Sequence, residues 1–340
     1  MRRATGSVLG CARLVTILLG AAIVPGPAAR ATEGAAVATI ADGMRAVGRL
    51  AAPATGQTLY VLDEVNGEVA AIDPFEPAKR WTAVAATDLS AKVGEPATRP
   101  VAIGCIDSNT LAIVGHVANA WSVLTYRLAP PGSKTDSPDL LQSIPLGVSE
   151  NQPANVDLIV SDSRDWLAVV GLPAPLPVIV RAPIAGSRLG SFSERLCPRG
   201  VSAERLSAAT TGPFDEWVLF SREAADEASA VALSFHANAG QQRLLQLDLG
   251  LPRVIDAAFC RGAGTLWVVA DGGGSAKTPA GLWRIDAELR NGRQAARTEC
   301  VAPLDHPLSA VCLSDRAIAV ALGGDRPKIV LVNPLATEAP

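Results

Sequence analysis

At 340 residues the chain is long enough for two average domains or one large all-β domain, and with 49% hydrophobic and 19% charged residues it can bury a sizeable core, which excludes global disorder. Its formal net charge of −3 comes without a basic run, so it offers no electrostatic footprint for nucleic acid. No segment beyond the N-terminal one approaches ~18 consecutive apolar residues, so membrane insertion is not expected.

In chain order, Arg2, Arg3 and Arg13 precede an uncharged apolar run at 14–24, followed by Pro25, Pro27 and the small-residue site Ala29-Arg30-Ala31. That pattern predicts a secretory signal over residues 1–31, cleaved before Thr32, and hence a periplasmic or extracellular protein. The leader carries four arginines and no acid, so its loss takes the net charge to about −7. Five cysteines would remain, Cys105, Cys197, Cys260, Cys300 and Cys312, an odd number with no CxxC, zinc or haem spacing.

The mature portion, 32–340, reads as a single domain. Its first apolar strand falls at 34–41, and then a strand–loop–strand motif recurs. The copies run 57–63 to 68–74, 109–114 to 122–128, 165–170 to 177–183, 216–220 to 230–235, 264–270 to 281–287 and 317–321 to 328–334. Their anchors, Leu59, Leu111, Leu167, Val218, Leu266 and Ile318, are 52, 56, 51, 48 and 52 positions apart. A near-constant period in this range marks a repeat architecture whose units cannot bury their faces alone. A further apolar run precedes the anchor at 101–106, 255–260 and 308–313, and another follows the motif at 140–146 and 243–249. Each unit therefore reads as four antiparallel strands, the make-up of a propeller blade. The last copy lacks a fourth strand, which the strand at 34–41 could supply while covering an exposed edge. The expected fold is all-β: a six-bladed β-propeller of four-stranded antiparallel blades, closed by the N-terminal strand.

These runs resemble those of the β-propeller superfamily. Residues 59–74 in particular resemble the Tyr-Val…Gly…Val…Ile-Asp repeat of YVTN-type, NHL-like propellers. The third and fourth copies depart from that pattern through a Pro-rich stretch at 172–177 and an acidic insert at 223–229.

The Gly-rich stretch 272–278 lacks the P-loop order and precedes no helix, so it reads as a loop between strands rather than a phosphate cradle. Cys105, Cys260 and Cys312 occupy first-strand positions of different units, where pairing across the ring is not expected and small buried thiols are. Trp121, Trp166, Trp217, Trp267 and Trp283 fall in or beside strands and read as packing between blades. Leu266 is expected to be buried.

Polar residues gather at the ends of the second strands, on the face where blade connections lie. They are Asp63, His116, Arg222, Asp271 and Asp325, with Asp305 and His306 in the connection into the last unit. Converging there, they could hold a divalent cation such as calcium or act as acid and base; no organic cofactor is expected. The first functional reading is a non-catalytic binding or scaffold propeller presenting this face to a protein or small-molecule ligand. The alternative is a propeller hydrolase or lyase, lactonase-like, with its site at the channel mouth.

Overall fold

Short runs of Val, Ile, Leu and Ala recur along the chain and fold as small antiparallel sheets. The computed structural model describes residues 35–334 apart from 43, 64, 92–99, 118–119, 130–136, 150–155, 162, 173–178, 197–204, 213–216, 223–229, 236–244, 252, 273–277 and 291–292. The expected signal at 1–31, Cys197 and most of the Gly-rich loop thus lie outside the described residues.

Strand β1 (Ala36–Ala41) precedes a sheet of β2 (Leu50–Ala51), β3 (Leu59–Asp63), β4 (Glu68–Ile72) and β5 (Arg80–Val84). A short helix, α1 (Ala86–Ala91), leads to a sheet of β6 (Pro100–Asp107), β7 (Thr110–Val117), β8 (Ala120–Arg127) and β9 (Asp139–Ser149). The next sheet holds β10 (Asp157–Val160), β11 (Trp166–Val170), β12 (Ile179–Ala185), β13 (Arg188–Leu189) and β14 (Glu194–Leu196). It is followed by β15 (Leu206–Thr211), β16 (Trp217–Arg222), β17 (Ala230–Phe235) and β18 (Leu245–Asp248). Then come β19 (Arg253–Cys260), β20 (Thr265–Asp271), β21 (Gly281–Arg290) and β22 (Arg293–Pro303). The last sheet is ordered β1-β25-β24-β23, from β23 (Pro307–Ser314), β24 (Ala317–Leu322) and β25 (Lys328–Asn333).

The expectation of uniformly four-stranded units needs correction. Five of these sheets have four strands, whereas the sheet starting at β10 has five. There the outer position is filled in two pieces: β12 turns back tightly through Gly186 (φ 61°) to pair with β13, and its first half pairs with β14. Helix α1 was not anticipated either. Its Asp88 carboxylate accepts from Ala85 N at 3.4 Å, and Leu89 buries beneath it.

The strands are buried on both faces, which explains their near-continuous apolar character. Along β3, Tyr60 and Leu62 pack towards β6–β9, while Leu59 and Val61 pack towards the β1/β23–β25 sheet. The same period-2 division splits β7, with Leu111 and Ile113 on one side and Ala112 and Val114 on the other. An apolar cluster lies between each sheet and the next, including one between the last sheet and the first. Strand β1 pairs with β25 from Ala36↔Asn333 to Ala41↔Ile329, so the ends of the described chain are stitched into one sheet. The tryptophans serve this packing: Trp166 and Trp217, from neighbouring sheets, stack with ring centroids 4.7 Å apart.

Two residue-level expectations change. Cys260 and Cys312 form a disulfide, because β19 and β23 are the innermost strands of adjacent sheets and their Cα atoms stand 5.5 Å apart. Cys105 remains a buried free thiol, and Cys300 is free and half-buried. Leu266 is only half-buried, whereas the equivalent Leu59, Leu111, Leu167 and Ile318 are fully enclosed.

Gly56 shows how closely the sheets approach. It sits at φ 63°, and a Cβ there would lie 2.1 Å from the carbonyl oxygen of Leu313. Gly250 has φ 60° with no atom within 4 Å of such a Cβ. Gly250→Ala should therefore cost only the strain of a left-handed backbone, about 1 kcal/mol, and Gly56→Ala clearly more, about 3 kcal/mol. Urea denaturation of both variants checks this; equal losses would refute the close approach.

Candidate functional site

The innermost strands β2, β6, β10, β15, β19 and β23 each lie beside the next, and β23 lies beside β2. All six line an axial channel of about 370 Å³, a size suited to a small ligand. Close packing should make these strands apolar, yet polar residues stand near their beginnings, four of them lining the channel. Arg49 immediately precedes β2, Asp157 opens β10, Asp256 lies in β19 and Ser309 in β23.

Three of these residues, Arg49, Asp256 and Ser309, form one network. Arg49 Nη1 lies 3.2 Å from Asp256 Oδ1, and both side chains are largely buried. Ser309 Oγ donates to Asp256 Oδ2 at 2.6 Å, and Ala310 N donates to the same oxygen at 3.0 Å. Asp256 Oδ1 also accepts from Ala257 N at 2.9 Å, and Ser309 Oγ accepts from Leu50 N at 3.1 Å. Asp256 is thus a carboxylate held by a guanidinium and several donors, and the network spans three consecutive sheets.

Asp157 differs. Its Oδ1 accepts one hydrogen bond, from Leu158 N at 2.8 Å. Burial is the largest influence and raises its pKa; the nearby Arg49 guanidinium lowers it, and the Asp256 charge raises it again. The outcome is a carboxyl pushed up from 3.8 to about 6. Of the two carboxyls near this guanidinium, Asp256 is the one fixed by hydrogen bonds and Asp157 the one that exchanges its proton near neutrality. A carboxyl that exchanges its proton near neutrality is what acid–base chemistry requires.

Towards the other end the channel is lined by Arg164, Arg261 and Asp315. Arg164 adopts φ 60° and its Nη1 donates to the carbonyl of Ile106. Burial pushes the Cys105 thiol well above its usual range, so it is a wall group rather than a nucleophile.

The site residues expected from sequence are placed elsewhere. Asp63 is buried and caps its own turn: Oδ1 accepts from Val65 N and Asn66 N at 3.0 and 2.9 Å, and Oδ2 from Asn66 Nδ2 at 2.8 Å. Asp271 makes a half-exposed ion pair with Arg253 at 3.5 Å, a surface contact of small energetic weight. Asp305, His306 and Asp325 are exposed and are brought together, lining a second cavity of about 450 Å³ with Arg326 and Lys328. His116 and Arg222 lie in β7 and β16, but their side chains are outside the described residues. None of the five described candidates lines the axial channel. Among the described residues, no three His, Cys, Asp or Glu side chains gather as a metal-holding group.

The site left a trace in the sequence. Arg49, Asp157 and Asp256 each stand ten residues before an anchor, Leu59, Leu167 and Leu266, while the same position in the second and fourth units holds Val101 and Ala208. A charge recurring at an inner-strand position is the signal that attention to second-strand ends overlooked.

Among the described residues no helix is long and apolar enough to cross a membrane. No known family's profile matches the chain, and no curated protein is similar to it in sequence. Similarity appears among solved structures. The PQQ-bound aldose sugar dehydrogenase from Streptomyces coelicolor is 14% identical, with 90% of this chain and 99% of that one covered and a TM-score of 0.53. A gluconolactonase from Xanthomonas campestris is 15% identical over 88% of this chain and 89% of its own, with a TM-score of 0.52. The soluble aldose sugar dehydrogenase from Escherichia coli is 12% identical over 88% and 99%, with a TM-score of 0.53. Such neighbours are mainly enzymes, which overturns the expectation of a non-catalytic scaffold. By its own sheets and by these likenesses, the chain is a β-propeller.

Proposed function

We propose that the protein is a propeller hydrolase that opens a small, uncharged cyclic ester, a lactone, at the Asp157 end of the axial channel. The observation that carries this reading is a carboxyl raised to about 6 beside the Arg49–Asp256 contact in a cavity of about 370 Å³. Above pH 6 Asp157 is ionised and accepts a proton from water as the water attacks the ester carbonyl carbon. The charge that develops on the carbonyl oxygen is stabilised by the Arg49 guanidinium. The acyl C–O bond then breaks, and the proton on Asp157 passes to the departing alkoxide, leaving a hydroxy acid. General-base help of this kind contributes about 10²–10⁴-fold.

The PQQ-bound neighbour raises that group for consideration. PQQ is a tricarboxylate quinone, and a mouth holding two carboxyls against one engaged guanidinium does not fit such an anion, so no step is derived through it. The described residues likewise gather no ligand set for a divalent cation, and the mechanism assigns none a step.

We further propose that the six sheets close as blades of one ring within a single domain at 32–340, with β1 completing the last blade. An exported protein fits the Cys260–Cys312 disulfide, since such bonds persist in oxidising compartments. Neither a nucleic-acid partner nor membrane insertion forms part of this reading.

Acid release from glucono-δ-lactone in a pH-stat tests the reading. The protein should accelerate opening well above the spontaneous rate. Its kcat/KM should rise about tenfold per pH step below 6 and level off above it, as a base ionising near 6 demands. Asp157→Asn should lose about 100-fold or more, while Asp271→Asn at the rim should retain full activity. A wild type no faster than buffer, or an Asp157→Asn variant as fast as the wild type, would refute the assignment.

A further inference from the structure

The inner strands β19 and β23 are joined twice. Asp256 Oδ2 accepts from Ser309 Oγ and Ala310 N, and a few residues further along the same two strands Cys260 is bonded to Cys312. Both sulfur-bearing residues lie on channel-lining strands, and both thiol positions approach the carbonyl of Ser314. Two crossings fix the separation and the tilt of the strands; one crossing would leave them free to pivot about Asp256.

We propose that the Cys260–Cys312 disulfide is a positioning element for Asp256, Arg49 and through them Asp157, so that the channel reaches full competence only once this bond has formed. The inference deepens the proposed function and rests on it for the catalytic consequence, though its structural core does not. Arg49 is the shared group: it pairs with Asp256 at 3.2 Å and also acts on Asp157. With β19 and β23 locked, Asp256 is held by Ser309 and Ala310 and keeps Arg49. Unlocked, Asp256 loosens and Arg49 turns to Asp157, which then ionises more readily. Among the described residues, Arg49 and Asp256 are the charged groups that act on Asp157. Formation of the bond is a thiol–disulfide exchange: the two thiols give up two protons and two electrons, and an external disulfide oxidant is reduced to two thiols. A chain still in a reducing compartment would thus carry a weakened base.

The test compares oxidised wild type, wild type reduced with excess dithiothreitol, and Cys260→Ala/Cys312→Ala, each confirmed as folded by far-UV circular dichroism. The Asp157 carboxyl titration is followed by ¹³C NMR with Asp157→Asn as assignment control. On reduction the midpoint should move from about 6 towards the ordinary aspartate value near 3.8, and reoxidation should restore it. Lactone opening should fall about tenfold at pH 7, with the acid limb of its pH profile moving by the same amount. Ser309→Ala, which removes the side-chain half of the Asp256 contact and spares both Ala310 N and the disulfide, should move the midpoint the same way by a smaller amount and keeps the test open if the reduced forms unfold. An unchanged midpoint in folded reduced protein, or in Ser309→Ala, overturns the proposal. A midpoint that moves in a protein inactive on lactones would instead refute the hydrolase reading and leave the positioning role standing.

Discussion

Cys260→Ala/Cys312→Ala should lose about 2–4 kcal/mol of stability, the largest loss expected from any pair of small side chains in the molecule. The bond closes a chain segment with a sequence separation of 52. In the loop-entropy account, a closure of that length removes about 4 kcal/mol of freedom from the unfolded chain. Packing adds to the effect, because Cys260 lies in the cluster between the β19–β22 sheet and the last sheet, with Trp267, Ile318 and Val320. Chemical denaturation of the oxidised and reduced wild type measures the difference without mutation. A loss below about 0.5 kcal/mol in both comparisons would mean that the sheets do not depend on this link.

Asp157→Asn should have the opposite sign at neutral pH. The folded chain raises this carboxyl to about 6 from an unfolded value near 3.8, so the fold favours the protonated form. Protonation therefore contributes stability that is fully present below about pH 4 and is lost as pH rises through 6. An uncharged amide of the same shape escapes that loss and can still accept from Leu158 N. The variant should be more stable than wild type by about 1–3 kcal/mol at pH 7, and about equal to it near pH 4. A stable but inactive variant would identify Asp157 as a residue kept for chemistry at the expense of the fold. Lower stability at pH 7 would instead make its charge structural.

The fold was legible because both faces of each middle strand are buried, so the repeat is written in apolar side chains. Leu59, Leu111, Leu167 and Ile318 are fully enclosed at equivalent positions, and the pairing of β1 with β25 answers to the missing fourth strand of the last copy. The extra strand in the third sheet escaped notice because β13 is two residues long, too short to show a pattern, and its turn rests on Gly186. The disulfide was missed because sequence period says that Cys260 and Cys312 are equivalent, and equivalence was taken as separation; at the narrow axis, neighbouring inner strands come within bonding distance.

The site was less legible. Asp63 and Asp271 attract attention as acids at strand ends, yet a turn and a surface ion pair account for both. Asp157 and Asp256 are hidden within apolar runs, where an isolated acid reads as an irregularity. Their importance comes from Arg49 and from burial, and both depend on sheets distant in sequence.

The proposed hydrolysis stands on one carboxyl. Site-resolved ¹³C titration of Asp157 in the oxidised wild type tests it most directly, with Asp157→Asn to assign the signal. A midpoint near 6 is the expected result; ionisation complete by pH 5, as for an ordinary aspartate, would contradict it.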